Sequence, residues 1–323
     1  MRRLAFISKS DPASPLQKVM PSSQHRRYKN MKTLAYYNGT IAEMEEMSIP
    51  MNDRASFFGD GCYDATYCRN YKIYCLDEHL DRFYNSARLL DMEMPMEKAE
   101  MAALLNDLVR RVDDHEQFIY IQLTRGTGMR EHSYGASGFA HNLWVTLKPC
   151  KVVDTYEAIK AITVEDKRFF YCNIKTLNLL PNVLAAEKAR AAGCGEAIFY
   201  RAPERNGAGE ENRLAGRVTE CAHSNIHILR NGTFRTAPLD DQILPGIARA
   251  NLIKMCGKLG IPVDETPFTV SEMLEADEVI HSSSGSFCVP VDEIDGIRVG
   301  GRDPETLKKL QDALVADWME KTE

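Results

Sequence analysis

The chain has 323 residues, of which 44% are hydrophobic and 27% are charged, which is enough apolar material for one or two cores. No run approaches the roughly 18 to 20 consecutive apolar residues that a membrane span needs, and the start lacks the long apolar stretch of a secretory signal. We therefore expect a soluble globular protein without a membrane partner.

Positive charge is concentrated at the front of the chain. Residues 1–32 carry eight Lys and Arg side chains against Asp11 alone, so the remainder carries 32 Lys+Arg and 45 Asp+Glu, a formal charge of −13. Such an acidic body is a poor partner for nucleic acid. The Arg- and Ser-rich composition of residues 1–30 predicts a disordered extension before a folded part that begins at Met31. A transit peptide fits this composition too.

The cysteine and histidine patterns argue against a metal or disulfide framework. The nine cysteines are scattered and form no CxxC pair, which is typical of reduced thiols in the cytoplasm. The eight histidines include no HExxH motif. The sequence therefore predicts no metal site, and a cytoplasmic location unless the front segment is a targeting signal.

The first predicted unit is a small α+β domain, residues 31–149. LAYYNGTIAE predicts two short strands around an Asn38-Gly39 turn. The glycine-rich FFGDG then leads into a strand near Tyr63 to Cys68 and a further strand after the Arg69-Asn70 turn. Helical spacing predicts helices in DEHLDRFYNSARLLDM and MEKAEMAALLNDLVRRV. The strands FIYIQLTRG and NLWVTLK complete the unit.

A linker at residues 150–156 precedes a larger unit, residues 157–323. Its predicted elements are, in order, the strand AITVED, the helix NVLAAEKARAAG, the strand EAIFY, a polar loop from Arg201 to Gly216, the strand RVTE, the hairpin NIHILRNGTFRT, the helix IARANLIKMCGKLG, the strands ADEVIH and VPVDEI, and a helix from about Pro304. No repeat with a fixed period is present in the sequence.

Lys175 interrupts the apolar segment CNIKTLNLLP, residues 172–181. The simplest interpretation is that its methylene groups lie on apolar surface while the ammonium group reaches water. The alternative is an amine desolvated among apolar neighbours, because desolvation favours the neutral form that reacts with an aldehyde to give a Schiff base. The segment alone does not choose between the two.

Other positions also have both a structural and a chemical interpretation. Glu220 in RVTECAHSN either marks an exposed strand edge or faces a cleft, and Arg82 on the first predicted helix is either solvated or directed inward. Gly246 in ILPGIARAN either simply starts a helix, as most such positions do, or starts one whose first amides bind a phosphate. The serines of HSSSGS either add hydroxyls to that anion or form a turn.

The order of these segments resembles a known family. The series FGDGCYDATY, EHLDRFYNSA, IQLTRGTGMREHS, CNIKTLNLL, RVTECAHSNIHIL, ILPGIARAN and EVIHSSSGS is similar to the class IV aminotransferases of pyridoxal phosphate fold type IV, most of all to D-amino acid aminotransferases. The resemblance runs from about Leu34 to about Leu310. It implies a fold of the α+β and α/β classes with two domains. A small N-terminal α+β domain is followed by a larger, mixed, β-barrel-like domain with helices, and the cofactor lies at the interface between the two domains.

The resemblance assigns cofactor positions to individual residues. Lys175 corresponds to the lysine that binds pyridoxal 5′-phosphate as a Schiff base, and Glu220 to the carboxylate that faces the pyridine nitrogen. The remaining positions, which surround the cofactor phosphate, are Arg82, Ile247, Ala248 and Ser284.

The resemblance also assigns substrate positions. Tyr63, Arg130 and His132 correspond to residues that bind the substrate α-carboxylate in D-amino acid aminotransferases. Without the resemblance, a charged loop tip such as Arg130-Glu131-His132 is normally just solvated. The family takes the arginine and the histidine from the partner subunit, which implies a homodimer.

The expected reaction is transamination between a D-amino acid such as D-alanine and a 2-oxo acid such as 2-oxoglutarate, with Lys175 transferring the proton. The alternatives within the same fold are a branched-chain L-amino acid aminotransferase, an (R)-amine transaminase and an aminodeoxychorismate lyase. A catalytically silent protein that binds the cofactor is a further alternative.

The sequence departs from the family pattern in several places. Asn173 replaces an aspartate near the lysine, Ala248 replaces a common threonine, and residues 221–223 read Cys-Ala-His where glycine and small hydroxyl residues are usual. These differences bear on phosphate binding and on the substrate pocket. The 201–216 loop is longer than usual and is interpreted as a surface excursion, while His223 and His227 are interpreted as scaffold residues.

Overall fold

The computed structural model describes residues 31–135, 139–203 and 209–323, so the predicted extension at residues 1–30 lies outside the described residues. The first part of the chain folds into one antiparallel sheet with the strand order β2-β1-β6-β5-β3-β4. Its strands are β1 (Leu34–Tyr37), β2 (Thr40–Ala42), β3 (Gly61–Arg69), β4 (Lys72–Ile73), β5 (Glu116–Thr124) and β6 (Asn142–Pro149). The helices of this part are α1 (Arg54–Phe58), α2 (Leu76–Leu89) and α3 (Lys98–Leu108).

Helix α2 is buried on two sides. Leu80, Phe83 and Ala87 lie at helical spacing and pack into the core of the first sheet, where each is fully shielded from solvent. His79 and Arg82 lie on a different side of the same helix and are also buried. The helix therefore packs on the core of the first sheet with its apolar residues and carries buried polar side chains on its other side.

The second part of the chain forms a larger mixed sheet with the order β12-β11-β10-β13-β14-β7-β8-β9, and β15 pairs with β14. Its strands are β7 (Ile159–Glu165), β8 (Glu196–Arg201), β9 (Arg217–Cys221), β10 (Asn225–Arg230), β11 (Thr233–Thr236), β12 (Val263–Asp264), β13 (Glu278–Ser282), β14 (Val289–Ile294) and β15 (Ile297–Arg298). The helices of this part are α4 (Leu180–Ala191), α5 (Glu210–Leu214), α6 (Ile247–Leu259), α7 (Val270–Leu274) and α8 (Pro304–Lys321).

The connection between β9 and β10 shows that this second sheet curls. Five strand-to-strand steps separate β10 from β9 in the sheet order, yet only residues 222–224 connect them along the chain. In a flat sheet five steps of about 4.8 Å would span about 24 Å, which three residues cannot cover. The sheet therefore closes on itself like part of a barrel, and side chains on its concave side converge.

The 174–177 segment joins the two parts through backbone hydrogen bonds. Tyr63 N donates to Lys175 O at 2.9 Å, and Leu177 N donates to Gly61 O at 3.1 Å. The segment thus pairs with the first residues of β3, along the edge that the short strand β4 leaves uncovered. Lys175 is consequently placed where the two sheets meet.

Most of the predicted elements are present, including the Asn38-Gly39 hairpin, in which Tyr37 pairs with Thr40. The prediction of a loop throughout Arg201 to Gly216 was wrong, because α5 forms one helical turn within it. Residues 204–208 of that loop lie outside the described residues. No helix in the described part of the chain is long and apolar enough to cross a membrane.

We expect Phe83→Ala to lower the free energy of unfolding by about 3–5 kcal/mol, because the substitution leaves a cavity in the core of the first sheet. Urea denaturation measures this loss. The matched control is Leu89→Ala at the end of the same helix, where the side chain is 38% exposed, and its cost should be about 1 kcal/mol or less. Equal losses in the two variants would contradict the burial of Phe83 in the core of the first sheet.

Candidate active site

A cavity of about 320 Å³ lies between the two parts of the chain, with Lys175 in its wall. The Lys175 ammonium lies 4.4 Å from the centre of the Tyr63 ring, and the Lys175 amide is 3.4 Å from Ser86 Oγ of α2. The lysine is partly shielded from solvent rather than fully exposed. The volume is within the range of about 300–1,000 Å³ that is usual for small-molecule sites.

Glu220, at the end of β9, forms another part of the cavity wall and is 6% exposed. Its carboxylate accepts hydrogen bonds from Arg168 Nη1, from Asn225 Nδ2 at 3.0 Å and from the Leu244 amide at 3.0 Å. Burial raises the pKa of Glu220, and the charges of Arg168 and Lys175 offset part of that rise. Since all these partners donate, they favour the ionised carboxylate.

Arg168 is a residue of this site that the sequence interpretation missed. It is buried and bridges Glu220 to Asp166, to which its Nη2 donates at 2.9 Å. Arg201 adds a further contact to Asp166 at 3.3 Å. The close spacing of Asp166 and Arg168 after β7 was a local indication that the two side chains pair. Their link to Glu220 could not be predicted in this way, because Glu220 lies 52 residues from Arg168.

A second buried ion network lies at α2. Arg82 donates from Nε and Nη2 to Asp64 at 2.8 Å, and His79 Nδ1 lies 2.7 Å from the same carboxylate. Burial alone would raise the pKa of Asp64, but the Arg82 guanidinium and His79 lower it below its usual value. Arg82 Nη1 also donates to Pro245 O at 3.2 Å, and Nη2 lies 3.4 Å from His79 Nδ1, so one of the five N–H groups of Arg82 has no partner among the described residues.

The N-terminus of α6 and the serine loop after β13 lie in the same cavity wall. Ile247 and Ala248 provide the first amides of α6, which have no partner within the helix. Ser284 Oγ lies 3.5 Å from His79 Nε2. These groups and Arg82 form one polar corner with cationic character, which suits an anion such as a phosphate.

Gly246 has to be a glycine for this corner to form. A Cβ at this position would lie 1.9 Å from Asn225 Oδ1, and Asn225 is the side chain that binds Glu220. The start of α6 and the Glu220 carboxylate are therefore packed against each other through one amide side chain.

Arg130 and His132 do not line the cavity that contains Lys175. Both lie against Phe58, with the His132 ring 5.1 Å and the Arg130 guanidinium 5.2 Å from the Phe58 ring centre. Arg54 fixes this loop by donating to the carbonyl groups of Glu131 and His132. Of the predicted site residues, seven meet in one cavity and these two are presented elsewhere, on an exposed loop.

Comparisons with known proteins identify the family of the chain. The family model "Amino-transferase class IV" matches residues 61–294. The chain belongs to the class IV aminotransferases. It is 37% identical over 287 residues to a D-alanine aminotransferase of Listeria monocytogenes, covering 87% of this chain and 94% of that relative. It is 34% identical over 287 residues to a D-alanine aminotransferase of Bacillus licheniformis, covering 88% and 96%.

A solved structure supports the same assignment at the level of the fold. The branched-chain aminotransferase of Thermoproteus uzoniensis superposes with a TM-score of 0.78 at 25% sequence identity, covering 90% of this chain and 96% of that one. The predicted two-domain fold of class IV aminotransferases, with its curled second sheet, is thereby confirmed.

We expect Gly246→Ala to destabilise the protein by about 1–3 kcal/mol, because Asn225 has to turn away and leaves Glu220 without one of its donors. Urea denaturation measures the change. The matched control is Gly257→Ala in the interior of α6, where a Cβ meets no atom within 4 Å. The free energy of unfolding of that variant should rise by about 0.5–1 kcal/mol, because alanine is a better helix former than glycine. A neutral result for Gly246→Ala would contradict the close approach.

Proposed function

We propose that the cavity binds pyridoxal 5′-phosphate and that the protein is a D-amino acid aminotransferase. The observation that carries the proposal is the convergence of Lys175, Glu220 and Arg82 in one cavity. The residues fit the cofactor by charge: the cationic corner at Arg82 suits the phosphate, and the ionised Glu220 suits a protonated ring nitrogen. When bound, the cofactor supplies an electron sink for the negative charge that develops at the substrate α-carbon.

Lys175 has two roles in this proposal. Its Nζ would hold the cofactor covalently and so serve as the tether. As a free amine, the same Nζ would take the proton from the substrate α-carbon, so one side chain would be both tether and acid–base group. The pairing of the Lys175 backbone with β3 limits its movement during this transfer.

Glu220 would face the ring nitrogen, and the donors around its carboxylate favour the charged form against the effect of burial. Arg168 provides Glu220 with a positive partner, and Asp166 in turn balances Arg168. Without Arg168 the carboxylate would be buried with no cationic partner of its own and would favour the neutral form. Arg168 is therefore a positioning residue in this proposal, because it acts on the ligand through Glu220.

The substrate proposal rests on the relatives and on the 130–132 loop. The D-alanine aminotransferases of Listeria monocytogenes and Bacillus licheniformis resemble the chain over almost their whole length. Arg130 offers a planar, bidentate donor for a carboxylate. Fixing the carboxylate decides which face of the α-carbon is presented to Lys175, and therefore which enantiomer reacts.

We place the Arg130 and His132 of each site on a partner subunit, so that the active form is a homodimer. The two side chains lie on an exposed loop outside their own Lys175 cavity, which is consistent with this arrangement. Exposed apolar side chains near the cavity also suit a second copy of the chain, since Phe169 and Tyr171 line the cavity while 44% and 62% exposed. Leu180 and Val183 on α4 are 69% and 60% exposed.

We expect the protein supplied with the cofactor to convert D-alanine and 2-oxoglutarate to pyruvate and D-glutamate. Lys175→Ala should lower kcat at least about 1,000-fold and abolish the visible absorbance of the bound cofactor. Chiral analysis of the products and absorbance spectra measure the two effects. Lys151→Ala, at a side chain that is 84% exposed, is the control and should keep both turnover and absorbance.

Two outcomes would overturn parts of this proposal. Turnover of L-branched-chain amino acids alone would reject the D-amino acid assignment and favour the activity of the Thermoproteus uzoniensis protein. An unchanged spectrum in Lys175→Ala would reject the assignment of the lysine itself.

The partner-subunit arrangement predicts complementation between two defective chains. Lys175→Ala and Arg130→Ala should each be impaired with D-alanine, whereas hybrid dimers should contain one site with both native residues. Random mixing should then restore about a quarter of the wild-type activity, since half of the dimers are hybrids and half of their sites are intact. Co-expression with two different affinity tags isolates the hybrids, and their kcat/KM for D-alanine measures the effect. No gain in the hybrids would show that Arg130 acts within its own chain or not at all.

A further inference from the structure

A cluster of three side chains beside the cavity has no part in the proposed reaction. It consists of Glu196 at the start of β8, His223 between β9 and β10, and His281 on β13. Glu196 Oε2 lies 3.1 Å from His223 Nδ1 and 3.4 Å from His281 Nε2, and all three atoms lie within 4.8 Å of one another. These are atoms of the types that bind divalent transition metals.

The curl of the second sheet brings these residues together. Three strand-to-strand steps separate β8 from β13 in the sheet order, which is about 14 Å in a flat sheet. The contact between Glu196 and His281 at 3.4 Å therefore depends on the curl of the sheet. The short β9–β10 connection then adds His223 from a third direction, with its ring at 89° to that of His281.

His281 provides an independent indication of a missing ligand. Its side chain is 5% exposed, and its Nε2 lies 3.4 Å from Glu196 Oε2 but has no hydrogen-bond partner among the described residues. The other ring nitrogen lies 3.3 Å from Ser286 Oγ. A buried polar atom without a partner is costly, and an ion between His281 and Glu196 would satisfy it.

Hydrogen bonds from neighbouring groups hold the Glu196 carboxylate in place, as is typical of a carboxylate that binds a metal. Its Oε1 accepts hydrogen bonds from the amides of Ala197 at 2.8 Å and Ala222 at 3.2 Å. Ser224 Oγ donates to its Oε2 at 2.8 Å. Such outer contacts orient a carboxylate and leave its free lone pair directed at the two imidazoles.

We propose that Glu196, His223 and His281 form a binding site for a divalent transition metal of the zinc class. Metal–ligand bonds of about 2.0–2.2 Å at tetrahedral angles place ligand atoms about 3.3 Å apart, which matches the 3.1 and 3.4 Å of this cluster. His223 is 61% exposed, so it provides the route of entry, and a water completes the fourth position.

The site would link the two sides of the cavity wall. His223 lines the cavity next to Ala222 and Ser224, and His281 directly precedes the serines that reach the proposed phosphate corner. A bound ion would fix the β9–β10 connection to β13 and thereby hold both segments in place. Residues 222 and 223 depart from the family pattern. In this proposal His223 is a metal ligand, and the Ala222 amide binds the Glu196 carboxylate.

The test is metal uptake by the full-length protein with its cofactor and without a histidine tag. We expect calorimetric titration with ZnCl₂ to show a site with a stoichiometry of about one ion per chain, and His223→Ala to weaken that site at least about 100-fold. Titration with CoCl₂ should give the visible absorption of a tetrahedral cobalt complex, which His223→Ala should lose. Zinc in 100-fold excess over its dissociation constant should raise Tm by several degrees in the wild type but not in the variant.

His115→Ala is the matched control, because His115 is exposed and distant in sequence from the cluster, and it should leave uptake unchanged. His223 is exposed, so its replacement should not prevent folding, and His223→Gln gives a second variant of nearly native size. The proposal is rejected if the wild type takes up no stoichiometric ion. It is equally rejected if uptake, cobalt absorption and Tm respond alike in the wild type and both His223 variants.

Discussion

The placement of Lys175 depends on the pairing of the 174–177 segment with β3. Two backbone hydrogen bonds, at Tyr63 and at Gly61, dock a segment of the second part of the chain on the sheet of the first part. Gly61 permits this approach, since a Cβ there would lie 2.4 Å from Leu123 O and 2.8 Å from Leu177 Cδ1. The lysine is thus held by main-chain contacts, which depend on the absence of a side chain at Gly61.

Two buried ion networks define the polarity of the cavity. At one end Asp64 neutralises part of the Arg82 charge, and one Arg82 N–H is left for an anion. At the other end Arg168 neutralises part of the Glu220 charge, and the carboxylate remains an acceptor for a cation. Each network is balanced by hydrogen bonds, so neither contains an unpaired buried charge, whose cost would be several kcal/mol by the order of magnitude usual in protein interiors. This polarity suits the proposed cofactor, which carries a phosphate and a basic ring nitrogen.

The sequence alone predicted the long elements and most of the cavity, but not the contacts between distant residues. Helices such as α2 and α6 are long enough for their apolar spacing to be visible, whereas α1, α5 and α7 have five residues each and show no period. Lys175, Glu220 and Arg82 were recognised from the order of family motifs. Arg168 was missed because its importance comes from a partner 52 residues away, and the Glu196 cluster was missed because its members are spread over 86 positions, from 196 to 281.

The position of the 130–132 loop links the fold to the choice of substrate. Arg54 binds Asp60 at 2.8 Å and holds the loop by its carbonyl groups, so Arg130 and His132 are presented from a rigid base. Neither side chain lines the Lys175 cavity of its own chain, so neither can contact a ligand bound there. In the proposed homodimer, a symmetric arrangement would bring each pair to the cavity of the other chain. The substrate carboxylate would then be recognised by the dimer, whereas the residues proposed to hold the cofactor all lie in the cavity of one chain.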